Sequence, residues 1–276
     1  MPKFIVGARL HDYGKGSPDE LFGRVAADGF AAVQLAYKKC VPSVRSYADV
    51  TDALVTETVA AEKAHSIQVA VLGTYVELAI NDESRLKNAA DFKSQLAVCK
   101  ALGAGCIGTE TTNMEKQPAG TTREEAQELL CRSLADILPA AEALGVTVAV
   151  EPVTYHSMNS AAATRHILDT MRSPNLKVIF DMSNLVDAGN VGAQDRIWND
   201  VGELLGDQIV AVHFKGQAFA PDGGLLHTSL EDSLTDYAGA FAMLRQLPQD
   251  TLPVLREEAV PARAASDIAF MRGFFA

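Results

Sequence analysis

The sequence predicts an α/β fold, a (β/α)8 TIM barrel that forms a single domain over residues 1–276. Its length of 276 residues is near the roughly 250 of such a barrel. Short apolar runs alternate about eight times with helical patterns, as in parallel α/β folds. Four of these runs end in a side chain that can bind a metal, and the carboxyl ends of barrel strands surround one mouth.

The predicted strands are short apolar runs, typical of strands that helices cover on both faces. We expect them at residues 4–9, 30–35, 67–72, 106–110, 146–150, 176–180, 209–212 and 253–256. Eight such runs do not by themselves distinguish a closed barrel from an open sheet. The metal-binding side chains favour the barrel, because strand ends in an open sheet need not converge. No Gly-x-Gly-x-x-Gly follows the first strand, which argues against a dinucleotide site.

The predicted helices begin at capping residues, and several end at a glycine. Ser17 with Glu20 and Thr122 with Glu125 have the capping-box spacing, and Pro18 suits the first helical position. We expect helices near 18–28, 47–65, 83–102, 123–144, 161–171, 194–205, 236–247 and 264–275. Residues 215–232 are predicted to form a long, glycine-containing loop over the mouth.

Composition limits the partners and the compartment. The formal net charge is −11, which argues against nucleic-acid or anionic-membrane partners. The sequence shows no signal-peptide pattern and no apolar run of the roughly 20 residues that a membrane span needs. The cysteines lack metal-site spacing, so we expect buried, reduced thiols and a cytoplasmic protein. They are Cys40, Cys99, Cys106 and Cys131.

Four side chains at successive strand ends are the candidate metal ligands: Glu151, Asp181, His213 and Glu257. Taken singly, such a carboxylate can cap the next helix, and such a histidine can be an ordinary core residue. Together they are hard to explain without a common counter-charge, because a buried charge is costly. Three carboxylates and one imidazole suit a divalent ion such as Mn²⁺, Mg²⁺ or Co²⁺, with Zn²⁺ also compatible.

The strand-end motifs resemble those of the xylose isomerase-like TIM barrels, the sugar phosphate isomerase/epimerase family, and in particular its ketose 3-epimerases. The resemblance spans essentially the whole chain in strand order and is strongest over residues 146–258. The motifs are Val-Glu151-Pro-Val, Phe-Asp181-x-x-Asn184, Val-His213-x-Lys215 and Arg-Glu257-Glu258.

This resemblance implies one divalent ion, Mn²⁺ first, held by Glu151, Asp181, His213 and Glu257. It also implies an isomerase or epimerase that acts on a ketose or related keto-sugar. Glu151 would remove the proton next to the carbonyl, and Glu257 would return one on the other face. The metal would polarise the carbonyl and hold the enediolate, in agreement with the needs of a carbon acid.

Two departures from the epimerase pattern leave the reaction open. Those enzymes typically have a histidine three residues after the metal-binding aspartate, where this chain has Asn184. They also have an arginine shortly after the ligand histidine, whereas the segment His213-Phe214-Lys215-Gly216-Gln217 has no arginine nearby. The alternative is therefore a lyase or dehydratase on the same scaffold, similar to inosose dehydratases or to enzymes that cleave C-glycosides.

Four residues near the strand ends are candidates for substrate binding: His156, Asn184, Lys215 and Glu110. Three of them have a plainer interpretation. His156 could be a solvated loop histidine, Lys215 could only neutralise the acidic mouth, and Glu110 could lie behind the ligands.

Glu258 competes with Glu257 as the last ligand, and the other glutamate is expected to point away, toward Arg256.

The predicted partner is a small-molecule sugar, and the lack of a glycine-rich phosphate cradle favours a neutral one. A non-catalytic sugar-binding barrel is disfavoured because both acid/base glutamates are present. An apurinic endonuclease is disfavoured by the −11 charge and by only one histidine at a matching strand end. Homo-oligomerisation stays open, with the apolar end 270–275 as a surface that a partner could bury.

Overall fold

Eight parallel strands close into a barrel in a computed structural model that describes residues 1–276. Around the barrel the order is β1, β10, β7, β6, β5, β4, β3, β2. The barrel strands are β1 (Lys3–Arg9), β2 (Ala32–Leu35), β3 (Gln68–Gly73), β4 (Cys106–Glu110), β5 (Val148–Glu151), β6 (Leu176–Asp181), β7 (Ile209–Phe214) and β10 (Thr251–Arg256). The predicted (β/α)8 TIM barrel is confirmed.

Helices in the segments between the strands surround the barrel, and the capping boxes predicted at Ser17 and Thr122 are both formed. No helix combines the length and the apolar character needed to cross a bilayer. The helices are α1 (Pro18–Ala27), α2 (Tyr37–Cys40), α3 (Asp52–His65), α4 (Asp82–Ser94), α5 (Leu96–Leu102), α6 (Arg123–Leu144), α7 (Ala161–Met171), α8 (Gln194–Leu205), α9 (Tyr237–Leu244) and α10 (Ala264–Arg272).

Two predicted helices differ from the structure: one is divided into two, and the other begins later than expected. The helix expected over 83–102 breaks at Gln95 into α4 and α5. Gln95 is buried, and its side-chain amide donates hydrogen bonds to the carbonyl of Tyr47 and to Ser94 Oγ. The helix expected over 47–65 begins at Asp52, because Thr51 caps it through the backbone N–H of Leu54.

The segment 215–232, predicted as a loop, contains an antiparallel hairpin of β8 (Gly216–Phe219) and β9 (Leu225–Thr228). Its inner strand is anchored to the turn after β6 by Gln217, whose side-chain amide donates to the carbonyls of Ser183 and Val186. The hairpin therefore lies at the carboxyl-terminal face, as expected. The outer strand is exposed, however, and none of residues 216–228 lines the cavities beside the candidate ligands.

Small side chains fill the inside of the barrel, and a larger apolar layer packs between the strands and the helices. The buried inner residues are Ala32, Ala70, Val71, Cys106, Ala149, Ile179, Ala211 and Leu255. The interior is thus a packed core rather than a pore, which leaves the mouth as the place for a site. All four cysteines are free; three are buried as predicted, and Cys131 is only half-buried.

Aromatic side chains of the carboxyl terminus pack against their own chain. The ring of Phe274 stacks on Phe241 at a centroid distance of 5.7 Å and lies 6.3 Å from Phe214. Phe270 packs edge-on against Tyr237 at 6.0 Å. These rings are only partly buried, so burial of residues 270–275 by a partner stays a prediction.

We predict that Gly7→Ala lowers the free energy of unfolding by about 1–3 kcal/mol, as overpacking does in cores. A Cβ at Gly7 would lie 2.6 Å from the carbonyl oxygen of Ala32 and would also clash with Leu255 Cδ2, where β1 closes the barrel. Gly192→Ala is the matched control, because its Cβ meets nothing within 4 Å. Urea denaturation measures both variants, and equal stabilities would contradict the close contact.

Candidate metal centre

The four predicted ligands meet at the mouth because the strands carrying them end at one level. Asp181 on β6 pairs in register with His213 on β7, and Glu151 ends β5. Glu257 directly follows β10, and its backbone N–H donates to the carbonyl of Phe214 at 3.1 Å. All four side chains are buried, with relative exposures of 4% or less. The barrel thus gathers residues spread over more than a hundred positions of sequence.

Three of these residues form a compact donor group. One ligand atom from each of Glu151, Asp181 and His213 lies within 4.8 Å of the others. Glu151 Oε2 is 3.1 Å from His213 Nδ1, and Glu257 Oε1 approaches the same nitrogen at 3.5 Å. Glu257 lies outside the three-residue group but beside it. The arrangement could hold a metal ion.

The turn after β6 orients the carboxylates. Asp181 Oδ1 accepts hydrogen bonds from the backbone N–H groups of Ser183 and Asn184, at 2.7 and 2.9 Å. The side-chain amide of Asn184 then donates to Glu151 Oε1 at 2.5 Å. Asn184, predicted to bind substrate, therefore contacts the ligands themselves in this structure.

Lys215 supplies a positive charge inside the cluster. Its Nζ lies 2.9 Å from Asp181 Oδ2, 2.8 Å from Asn184 Oδ1 and 3.7 Å from Glu257 Oε2. Burial acts to lower the pKa of Lys215, but Asp181, Glu257 and Glu151 outweigh burial and hold it well above its usual value. Lys215 therefore places a positive charge among the carboxylates, and its contact with substrate stays a prediction.

The donor set fits a divalent cation by its chemistry. Glu151, Asp181 and Glu257 offer carboxylate oxygens, and the two cations beside them, Lys215 and Arg9, do not outnumber these carboxylates. Neither ring nitrogen of His213 has a hydrogen-bond partner, although Nδ1 faces Glu151, so a lone pair is available to a metal.

A proton on His213 and a metal at the site are alternatives, because a metal binds the neutral ring. Without a metal, burial acts to lower the pKa of His213, but Glu257 and Glu151 raise it to about 9. The carboxylates around His213 thus favour a positive charge at this position, which either a proton on the ring or a metal ion would supply.

Glu257, rather than Glu258, enters the cluster. Glu258 has a left-handed backbone with φ of 55° and faces away. Its Oε1 lies 2.8 Å from Arg9 Nη2, while Arg256 pairs with Asp267 at 2.8 Å. The expectation that the second glutamate meets Arg256 is wrong, because α10 supplies Asp267 to that guanidinium.

Glu110 and His156 lie on the rim beside the cluster. Glu110 pairs in register with Glu151, and its half-buried carboxyl lies 3.9 Å from His156 Nε2. Burial and the neighbouring Glu151 raise the pKa of Glu110 to about 7, whereas burial lowers that of His156 to about 4. Both residues line a cavity of about 630 Å³ next to the metal centre, which is where substrate contact was expected.

The sequence analysis missed a polar arc across the mouth. Arg9, at the end of β1, lies 3.8 Å from Glu257 Oε2. Gln34 on β2 donates to the hydroxyl of Tyr75 at 2.9 Å, and the ring of Tyr75 meets His11 edge-on. Arg9 ends β1, so the strand-end rule that found the ligands would have found it, whereas Gln34 precedes the last residue of β2 and has no such signal.

Comparisons with known proteins agree with this architecture. A family model described as xylose isomerase-like TIM barrel matches residues 22–274. No curated protein matches the chain significantly.

Several solved structures share the fold. The 3-keto-D-glucoside 4-epimerase YcjR from E. coli is similar, with a TM-score of 0.72 at 17% identity, over 98% of this chain and 100% of that one. A D-tagatose 3-epimerase-like protein has a TM-score of 0.77 at 11% identity, over 98% and 96%. The IOLI protein, solved with a bound zinc atom, has a TM-score of 0.75 at 16% identity, over 99% and 96%. At these identities the likeness concerns the fold.

We predict that His213→Ala loses most of a bound divalent ion, because it removes the only nitrogen donor of the cluster. Elemental analysis of protein purified with added Mn²⁺ measures the occupancy. His166→Ala, which removes an exposed imidazole on α7, is the control. Full occupancy in the His213 variant would refute the assignment.

We also predict that Lys215→Met destabilises the metal-free protein by about 3–5 kcal/mol, the usual cost of leaving a buried charge without its partner. Saturating Mn²⁺ should restore part of the loss, because the carboxylates then regain a cation. Denaturation in chelator and in Mn²⁺ measures the difference, with exposed Lys100→Met as control. An equal loss under both conditions would contradict the shared counter-charge.

Proposed function

The chain belongs to the xylose isomerase-like TIM barrel family, and on that premise we propose that it is a metal-dependent sugar isomerase or epimerase. It would move a proton at the carbon next to a carbonyl of a keto-sugar. The observation that carries the proposal is the pair of buried carboxylates, Glu151 and Glu257, that approach the same nitrogen of His213 from two strands. Two of the similar structures are described as a sugar epimerase and an epimerase-like protein, which supports this class.

The metal would be held by Glu151, Asp181, His213 and Glu257. Mn²⁺ is our first choice, and Mg²⁺, Co²⁺ and Zn²⁺ suit the same donors. When bound, a divalent ion would polarise the sugar carbonyl and stabilise the negative charge that develops on its oxygen.

The two glutamates differ in their hold on a proton. Burial, together with Asp181 and Glu257, raises the pKa of Glu151. Burial acts in the same direction at Glu257, but His213, Lys215 and Arg9 outweigh it and lower the pKa to about 2. Without a metal, one carboxyl of the pair thus binds a proton more readily than the other, because the charges around the two glutamates differ. Each residue would act as base for one epimer and as acid for the other.

The remaining residues would position this pair. Asn184 joins Glu151 to Lys215, so it would hold the carboxylate of Glu151 in one orientation. Glu110 and His156 would bind substrate hydroxyls at the rim, since they line the adjoining cavity.

A lyase or dehydratase is the second candidate, and Glu110 favours it. A carboxyl group with a pKa of about 7 at the rim could protonate a departing hydroxyl or aglycone after the same first proton transfer. Product mass separates the two reactions, because an epimerase conserves the formula and a dehydratase loses water.

We predict that Glu151→Gln and Glu257→Gln each lower net conversion by about 10²–10⁴-fold, the usual contribution of a positioned acid or base. Manganese-loaded protein is incubated in heavy water with D-fructose, D-tagatose and a methyl 3-keto-glucoside, and deuterium next to the carbonyl is measured. One variant should retain exchange without inversion, since one base can remove and return a proton on one face. Exposed Glu57→Gln is the control.

Wild-type turnover by both variants, or product without solvent hydrogen, would contradict the two-glutamate mechanism. An internal hydride shift would then be the better account.

A further inference from the structure

The hairpin of β8 and β9 presents a free strand edge to solvent. The two strands form a small antiparallel sheet apart from the barrel, and β9 pairs with no strand other than β8. The far side of β8 is covered, because the backbone N–H of Gln217 donates to Ser233 Oγ and its carbonyl accepts from the backbone N–H of Leu234 at 2.8 Å. The far side of β9 has no such cover, and an uncovered edge can add a further strand.

The hydrogen-bond pattern of the hairpin shows which backbone groups of β9 are free. In an antiparallel pair, opposite residues alternate between exchanging hydrogen bonds and directing their N–H and C=O groups away from each other. Gln217 lies opposite His227 and directs its own groups to Ser233 and Leu234, so those of His227 point outward. Leu225, two residues earlier, has the same orientation. The backbone groups of Leu225 and His227 make no hydrogen bond to any other segment of the chain.

The free groups of β9 are self-complementary. A second β9, placed antiparallel about a two-fold axis through Leu226, brings Leu225 opposite His227 of the second copy. It also brings Leu226 opposite Leu226 of the second copy. Each pair of Leu225 with His227 then exchanges two backbone hydrogen bonds, so the free N–H and C=O groups of both strands all find partners. The same patch serves both chains, as a two-fold interface requires.

The side chains of β9 also favour a second copy as the occupant. Leu226 is 48% exposed and would meet its own counterpart at the closely spaced position between the two hydrogen-bonded pairs. The strand, Leu225-Leu226-His227-Thr228, contains no Asp, Glu, Lys or Arg. A chain with a net charge of −11 can therefore approach itself here without placing like charges opposite each other. A lysine, a proline or a bulge often protects a strand edge, and β9 has none of them.

We propose that β9 pairs with β9 of a second copy of this chain, so that the two hairpins form one four-stranded antiparallel sheet across a two-fold axis. The interface lies at the carboxyl-terminal face, on the hairpin that begins directly after Lys215. It requires neither a metal nor a substrate, so it is independent of the proposed function.

Sedimentation equilibrium of the full chain, from low to high micromolar concentration, tests the pairing without metal or sugar. The wild type is expected to show a monomer–dimer equilibrium. His227→Pro removes an outward-facing N–H, and proline is tolerated in an edge strand where that N–H faces solvent. This variant should raise the dimer Kd by about tenfold or more, because each dimer loses two backbone hydrogen bonds.

A charge-pair experiment tests the position of the two-fold axis at Leu226. Leu226→Lys and Leu226→Glu each place like charges opposite each other, so each variant alone should raise the dimer Kd by about tenfold or more. Mixed in equal amounts, the two variants should recover a dimer, because a lysine then faces a glutamate. Leu86→Lys, which changes an exposed leucine on α4, is the control and should keep the wild-type Kd.

A wild type that stays monomeric at every concentration would overturn the proposal. A wild-type Kd in both His227→Pro and Leu226→Lys would overturn it too, because the dimer would then use another surface. A mixture of the two charged variants that stays monomeric would refute the contact of Leu226 with its own counterpart. Circular dichroism checks the fold of each variant, and the Leu226 variants decide the outcome if His227→Pro does not fold.

Discussion

The negative charge buried at the barrel mouth is the constraint to which the rest of the site responds. Three carboxylates end buried strands within a few ångströms of one imidazole, in surroundings where an unpaired charge is costly. Lys215 offsets part of this charge, and in the absence of a metal Glu257 and Glu151 raise the pKa of His213. A divalent ion held by Glu151, Asp181 and His213 would meet the same requirement.

The mouth is divided between two sets of strands. The candidate ligands come from β5, β6, β7 and the position after β10, which are neighbours around the barrel. The opposite arc contributes Gln34 and Tyr75, whose left-handed backbone, with φ of 54°, is uncommon for a bulky residue. Between these arcs, Glu110 lines both the small space at Glu151 and Glu257 and the neighbouring cavity of about 630 Å³. The candidate ligands therefore lie on one side of the mouth, and the cavity of about 630 Å³ opens beside them.

Asn184 illustrates how a departure from a family pattern can be compensated. The amide cannot titrate as a histidine does, but it donates to Glu151 and accepts from Lys215 at once. It thereby couples the carboxylate with the raised pKa to the buried ammonium ion. Asn184 and Lys215 together contact Glu151 and Asp181, so they act as one unit that orients these carboxylates.

The sequence by itself predicted the barrel and the four candidate ligands, because the same strand–helix pattern repeats along the chain. Each strand–helix unit repeats an apolar run, and a costly residue at the run's end is visible locally, as at Glu151 and Asp181. Only the tertiary structure decided the break at Gln95, the β8–β9 hairpin, the pairing of Arg256 with Asp267 and the stacking of Phe274 on Phe241. The tertiary structure also decided that Lys215 contacts Asp181 and that a cavity of about 630 Å³ opens beside Glu110. These features depend on contacts between segments distant in sequence, whose partners no local pattern specifies.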